Sequence, residues 1–191
     1  MPATGKTKKK VVSALRCGEI LGSARKVFAK KGFAGATMDE IAAASGLAKG
    51  TLYLYFKSKR DVYLKTLQCG SADVLEQAKA NMQANEGLRD KIRSFVATRV
   101  KYAEENRDFY KIYLAEFGNV IRPASIDKAL AQALRDGMER GEMRQVDADG
   151  VAFTIQDMSR GLIARRLLGW SEKNMEDDID CLCDLIWRGI G

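Results

Sequence analysis

Residues 35–63 read GATMDEIAAASGLAKGTLYLYFKSKRDVY, and their spacing decides the fold. Thr37-Met38-Asp39-Glu40 is a Thr-x-x-Glu capping box, in which hydroxyl and carboxylate each accept a backbone N–H at a helix start. It opens a short helix through Ile41 and Ala42. Gly46 lets the backbone turn after barely two turns, and a second short helix begins near Ala48 or Lys49. Ser58-Lys59-Arg60-Asp61 reads as another cap, ahead of a longer helix carrying Val62, Leu64 and Leu67. Upstream, Ile20, Ala24, Val27 and Phe28 fall at i, i+4, i+7 and i+8, one apolar stripe on a supporting helix. Gly32, after the last-turn cations Lys30 and Lys31, ends that helix.

Two short helices joined by a glycine turn, behind a longer support, make a helix-turn-helix. The second short helix has to enter a major groove about 12 Å wide, so it must be short and unencumbered. Leu52 and Phe56, at i and i+4, are its inward face and pack toward Ile41 and Phe28. Lys49, Thr51, Tyr53 and Tyr55 are left on the outward face. The tyrosine hydroxyls donate to phosphate oxygens, the rings rest against sugars, and Lys49, Lys57 and Lys59 neutralise the same backbone. Gly50 leaves no side chain where the helix start approaches the duplex. Two readings of Thr37 stay open: a cap alone, or a cap at a helix N-terminus that also meets a phosphate. The alternative for Tyr53 and Tyr55 is that of core-edge aromatics with solvated hydroxyls.

Charge agrees with this assignment. Residues 1–60 carry thirteen Lys or Arg and three acids, a surplus of +10, while the whole 191-residue chain is +7. A basic module on a mildly acidic body is the footprint of binding to a polyanion; the bland alternative is a solvated surface. Lys6, Lys8, Lys9 and Lys10 belong to a basic, flexible arm over residues 1–16, which either trails into a minor groove or only solubilises the chain. Apolar content of 46% and charged content of 30% are globular values. No apolar run approaches the roughly 18 residues of a membrane span, and the basic N-terminus lacks the apolar stretch of a secretory signal. Cys17, Cys69, Cys181 and Cys183 show no framework spacing, which suits a reducing cytoplasm. Without a histidine there is no His-coordinated metal, and Cys181 and Cys183 point to different helix faces, so neither metal nor cofactor is expected. Redox sensing by the cysteines stays open.

The quoted stretch resembles the N-terminal signature of TetR-family transcriptional regulators, and ILGSARKVFAKKGF before it looks like that family's first helix. The resemblance covers residues 17 to about 66, a quarter of the chain. It implies an all-α homodimer: a three-helix helix-turn-helix domain over 17–66, then a helical effector-binding and dimerisation domain over 67–191. Two positions depart from the family pattern. Ala48 stands where a capping hydroxyl is usual, at a cost of about 1 kcal/mol, and Leu54 stands where many relatives carry a polar or aromatic residue. Leu54 admits two readings, contact with a thymine methyl or partial burial.

In the body, helices are expected over 71–85, 88–104, 107–119, 124–140, 148–169 and 172–189, with Gly87, Asn106, Pro123, Gly141 and Gly169 near the breaks. Phe95, Arg99, Tyr102, Phe109, Tyr113, Phe117 and Met138 are candidate lining residues for an effector, with plain core as the alternative for each. A buried Arg99 would need a partner, which makes an anionic effector conceivable. The resemblance implies that the last two helices form the dimer's four-helix bundle, with Ile155, Leu162, Met175, Ile179, Leu182 and Ile186 as candidate interface residues. Met175, Ile179, Leu182 and Ile186 recur at i, i+4, i+7 and i+11, a seam suited to another helix; packing within one subunit is the alternative. The expected partners are a palindromic double-stranded operator, a small-molecule effector and a second copy of the chain. Two other classes fit the sequence less well. An effector-independent architectural DNA binder would not need so large a helical body, and an enzyme finds no phosphate loop, nucleophile elbow or paired metal ligands.

Overall fold

The computed structural model describes residues 4–116 and 128–191. Every element among them is a helix, and the chain divides into two compact units, Met1–Ala72 and Asp73–Gly191. The expected boundary lay a few residues earlier, at 66/67.

In the first unit, α1 spans Thr4–Gly35 and is interrupted at Gly32, whose φ of 72° is left-handed. The expected stop at Gly32 is therefore a kink, after which Phe33 turns back to stack on Phe28 with centroids 6.0 Å apart. The helical backbone already runs from Thr4, so Lys6, Lys8, Lys9 and Lys10 continue α1 rather than form a separate arm. Helix α2 is Met38–Ala44, and its Thr37–Glu40 capping box is closed in both directions. At its end Gly46 takes φ 65°; Leu47 N–H donates to the Ala42 carbonyl at 2.9 Å and Gly46 N–H to Ala43 at 3.1 Å. That Schellman geometry satisfies two orphan carbonyls and aims the chain into α3, Lys49–Tyr55. Ile20, Ala24, Phe28, Ile41, Leu52, Phe56, Val62 and Tyr63 are buried together. Tyr63 sets its ring edge-on to Phe28 at 5.0 Å, a geometry favoured by the ring quadrupoles.

Helix α4 is one continuous element, Lys59–Gln83, where two helices were expected. Gly70 is the only breaker between the two predicted pieces; one glycine costs a helix about 1 kcal/mol and does not end it.

In the second unit, α5 (Leu88–Glu105) packs against α7 (Lys128–Glu139), α8 (Ala148–Leu167) and α9 (Met175–Ile190). Helix α6, Arg107–Glu116, lies against α5 and α8. The core is built on Leu88, Ile92, Phe95, Val96, Val100, Leu130, Leu134, Ile155 and Ile179. A charged cluster closes one end. The fully buried Asp178 carboxylate accepts from Arg165 and Arg166 at 2.6 Å each and from Ser171 Oγ at 2.6 Å. Arg166 reaches on to Glu104 at 2.9 Å, and Arg107 donates to Glu104 at 2.6 Å and to the Arg166 carbonyl at 2.9 Å. Burial pushes the Asp178 carboxyl up, but the Ser171 and Arg166 hydrogen bonds and the charges of Arg165 and Arg166 outweigh it and hold it below its ordinary value.

Candidate nucleic-acid interface

Helix α3 is seven residues long and anchored by one buried side chain, Leu52, with Phe56 buried at its C-cap. What remains faces outward. Tyr53 is 47% exposed and Leu54 83%, Tyr55 is half-buried, and Lys49, Gly50 and Lys57 are exposed. Leu54 is thus not the partly buried residue that one reading expected. Thr51 is half-buried on the flank. Ala48 is the N-cap and supplies no side-chain bond, as its methyl requires.

The lysines differ in what they hold. Lys49 Nζ pairs with Asp39 at 2.9 Å across the turn between α2 and α3. The Asp39 hydrogen bond and charge raise the ammonium above its ordinary pKa, so it stays charged at any physiological pH. Lys59 is turned inward: its ammonium donates to the carbonyls of Ala36 at 2.8 Å and Ala34 at 3.1 Å and sits 4.8 Å over the Phe33 ring. Among the candidate lysines, Lys59 has structural geometry, stapling the start of α4 to the segment before α2. Sequence spacing carried no sign of this, because Ala34 and Ala36 are more than twenty residues away. Lys59→Ala is therefore expected to lower head stability by about 0.5–1.5 kcal/mol, through loss of its hydrogen bonds to the exposed Ala34 and part-buried Ala36 carbonyls. Chemical denaturation of the variant measures it; unchanged stability with a shallower salt dependence of DNA binding would return Lys59 to the phosphate contacts.

Thr37 is exposed at the N-terminus of α2; its hydroxyl accepts the Glu40 N–H at 3.2 Å, and Glu40 accepts the Thr37 N–H at 3.1 Å. Lys31 also pairs with Glu40, and that hydrogen bond leads the causes that hold the Glu40 carboxyl below its usual value. Beside this pair lies a cleft of 260 Å³ lined by Ser23, Lys26, Val27, Lys30, Lys31, Glu40 and Ala44.

The effector candidates in the second unit are brought together only in part. Phe95 and Phe109 are buried, and Met138 is half-buried, its Sδ accepting the Val146 N–H at 3.3 Å. Arg99 lies 5.3 Å over the Phe95 ring and reaches the Gln156 carbonyl at 3.5 Å. Tyr102 meets Tyr110 edge-on at 6.2 Å. Tyr113 falls within α6, and Phe117 lies outside the described residues. A 310 Å³ cleft between α5 and α9 is lined instead by Arg89, Asp90, Arg93, Asp180, Cys183 and Asp184. Burial pushes the Cys183 thiol up to about 11, which keeps it protonated and unreactive near neutrality.

The expected dimer seam requires correction. Ile155, Leu162, Ile179 and Ile186 are buried inside their own unit, and Met175 and Leu182 pack partly buried on the same core. The apolar repeat of α9 is covered by α5 and α8 of the same chain. The large apolar side chains that α8, α9 and their connection leave exposed are Phe153, Leu168, Trp170 and Leu185. Among the described residues no helix is long and apolar enough to cross a membrane.

The family model for bacterial regulatory proteins of the tetR family matches residues 20–66. The HTH-type transcriptional activator FasR of Mycolicibacterium smegmatis is 30% identical over 97 residues, 51% of this chain and 44% of FasR, so the match spans less than half of that protein. The HTH-type transcriptional repressor AcnR of Corynebacterium glutamicum is 24% identical over 167 residues, covering 85% of this chain and 87% of AcnR. Solved structures that share the fold include two with bound ligands. FadR from Bacillus subtilis, in complex with stearoyl-CoA, has a TM-score of 0.72 at 16% identity and covers 91% of this chain and 98% of its own. AibR, in complex with isovaleryl coenzyme A and operator DNA, has a TM-score of 0.60 at 18% identity, covering 90% and 98%.

Proposed function

Because the chain belongs to the TetR family of bacterial regulatory proteins, we propose that it is a cytoplasmic, homodimeric transcriptional repressor that grips a palindromic operator through α3 and lets go when a small molecule binds its helical body. The observation that carries this reading is α3 itself: a short helix held by Leu52, with Tyr53, Leu54, Lys49 and Gly50 presented outward from a unit of strong positive charge. Tyr53, Tyr55, Thr51, Thr37 and Lys57 meet phosphate and sugar, and Lys49 joins them if Asp39 yields its ammonium to a phosphate. Two heads on a two-fold axis read two half-sites at fixed spacing, which makes the operator palindromic. An effector that prefers the state with the heads spread weakens DNA binding, and DNA weakens the effector by the same factor.

The effector class to try first is an acyl-CoA thioester, the ligand held by FadR and AibR. Phe95, with the Arg99 guanidinium 5.3 Å over its ring, offers such a ligand an apolar surface beside a cation. The test is binding of the full chain to duplex DNA at a series of salt concentrations. Affinity is expected to fall steeply, with a log–log slope of about −0.9 per phosphate neutralised, and stearoyl-CoA or isovaleryl-CoA is expected to weaken it further at constant salt. A flat salt response would remove the electrostatic basis of the interface; indifference to both thioesters would remove only the effector class.

A further inference from the structure

The outermost line of α3 carries no side-chain hydrogen-bonding group. Leu52 defines the buried pole of the helix at 0% exposed. Gly50 and Leu54 lie two residues to either side of it, each about 200° around the axis, so both point directly away from the core. Thr51 and Tyr53 lie about 100° from it, on the flanks. Gly50 has nothing within 4 Å of the position its Cβ would take, so the fold does not require glycine there, although glycine is the poorer helix former. Leu54, one turn on, is the most exposed of the chain's large apolar side chains among the described residues, at 83%. A bare backbone strip followed by an apolar knob thus occupies the place that would lie deepest in the groove.

We propose that Leu54 reads the C5 methyl of a thymine in each operator half-site, with Gly50 clearing the approach, so that the central discrimination is apolar and the polar residues on either flank only position the helix. The proposal rests on the reading of α3 as the groove-entering helix. In the major groove every base edge offers hydrogen-bond donors or acceptors, and the only apolar group on the four bases is the thymine methyl. A guanine, adenine or cytosine edge set against Leu54 exchanges its water for a side chain that returns no hydrogen bond, which penalises the wrong base. A thymine at the same place buries a methyl against a leucine and loses nothing.

The experiment uses the full chain and the duplex it enriches from a random-sequence pool. Each thymine of a half-site is replaced in turn by deoxyuridine, which removes the methyl and leaves pairing intact. At one position per half-site the wild type is expected to lose about fourfold in affinity, the worth of one buried methyl group. Leu54→Ala, an exposed change that leaves the head folded, is expected to bind the thymine operator more weakly and to show no further loss on the uracil duplex. Wild-type binding indifferent to every such replacement overturns the proposal while leaving the DNA-binding reading standing, provided the salt dependence persists. A loss of the same size in Leu54→Ala also overturns it, since another group would then be reading the methyl. If no duplex is enriched at all, the groove-entering role of α3 fails, and this proposal with it.

Discussion

Glutamates at Phe153 and Leu185 together are expected to leave a folded monomer whose operator affinity is lower by about 10²–10⁴-fold, the advantage a second linked site confers. The two side chains are 39% and 62% exposed on the outward faces of α8 and α9. Along α8 the same exposed face continues through Gly161 and the half-exposed Ala164 to Leu168, small residues that let another helix approach closely. Solvent-exposed apolar groups of this size on adjacent helices are what a second copy of the chain covers in a homodimer. Sedimentation should show one protomer, circular dichroism an intact helical fold, and DNA binding the loss. Ile186→Glu provides the contrast: that side chain is 6% exposed within its own core, so the substitution buries a charge and should unfold the second unit instead. A double variant that remains dimeric and binds operator fully would end the assignment of this face.

The second large effect concerns stability. Asp178→Ala is expected to cost about 3–5 kcal/mol, the usual penalty for removing one partner of a buried ion pair, out of a total that is typically about 5–15. Arg166 would keep Glu104 but lose the carboxylate that holds it against α9. Arg165 is half-exposed, so water screens its share and most of the loss falls on Arg166 and Ser171. The wild type should also be acid-sensitive at this point. The folded-state pKa of Asp178 is depressed, so its contribution is complete above the unfolded value of about 4 and is lost as pH falls through the folded value. Urea denaturation of wild type and variant at neutral pH, and again below pH 4 or so, measures both effects: the gap between the two proteins should narrow in acid. Equal stability at neutral pH would mean that the cluster does not hold α8 to α9.

Much of the first unit was legible because its signals are local. A capping box acts over four residues, a glycine turn over three, and the buried pair Leu52 and Phe56 over one helical turn, so Thr37, Gly46 and the outward side chains of α3 could be assigned from spacing alone. The all-α class followed in the same way, from a period of 3.6 residues that needs no partner to be recognised. Tertiary structure alone decided matters where a residue's role depends on what lies across from it. Periodicity marked Ile179 and Ile186 as one apolar face, but whether another chain or α5 covers that face is a property of packing, and α5 covers it. Lys59 looked like one more cation of a basic stretch until the chain brought the Ala34 and Ala36 carbonyls to its ammonium. Asp178 was one acid in an acidic first turn until α8 placed two guanidinium groups beside it. Leu54 was undecided between burial and contact until the rest of the head closed over the opposite pole of α3. The physical reason is common to all four: a helix's own sequence determines which side chains share a face, whereas the energy of each face, and hence its role, is set by groups distant in the chain that only the folded molecule brings near.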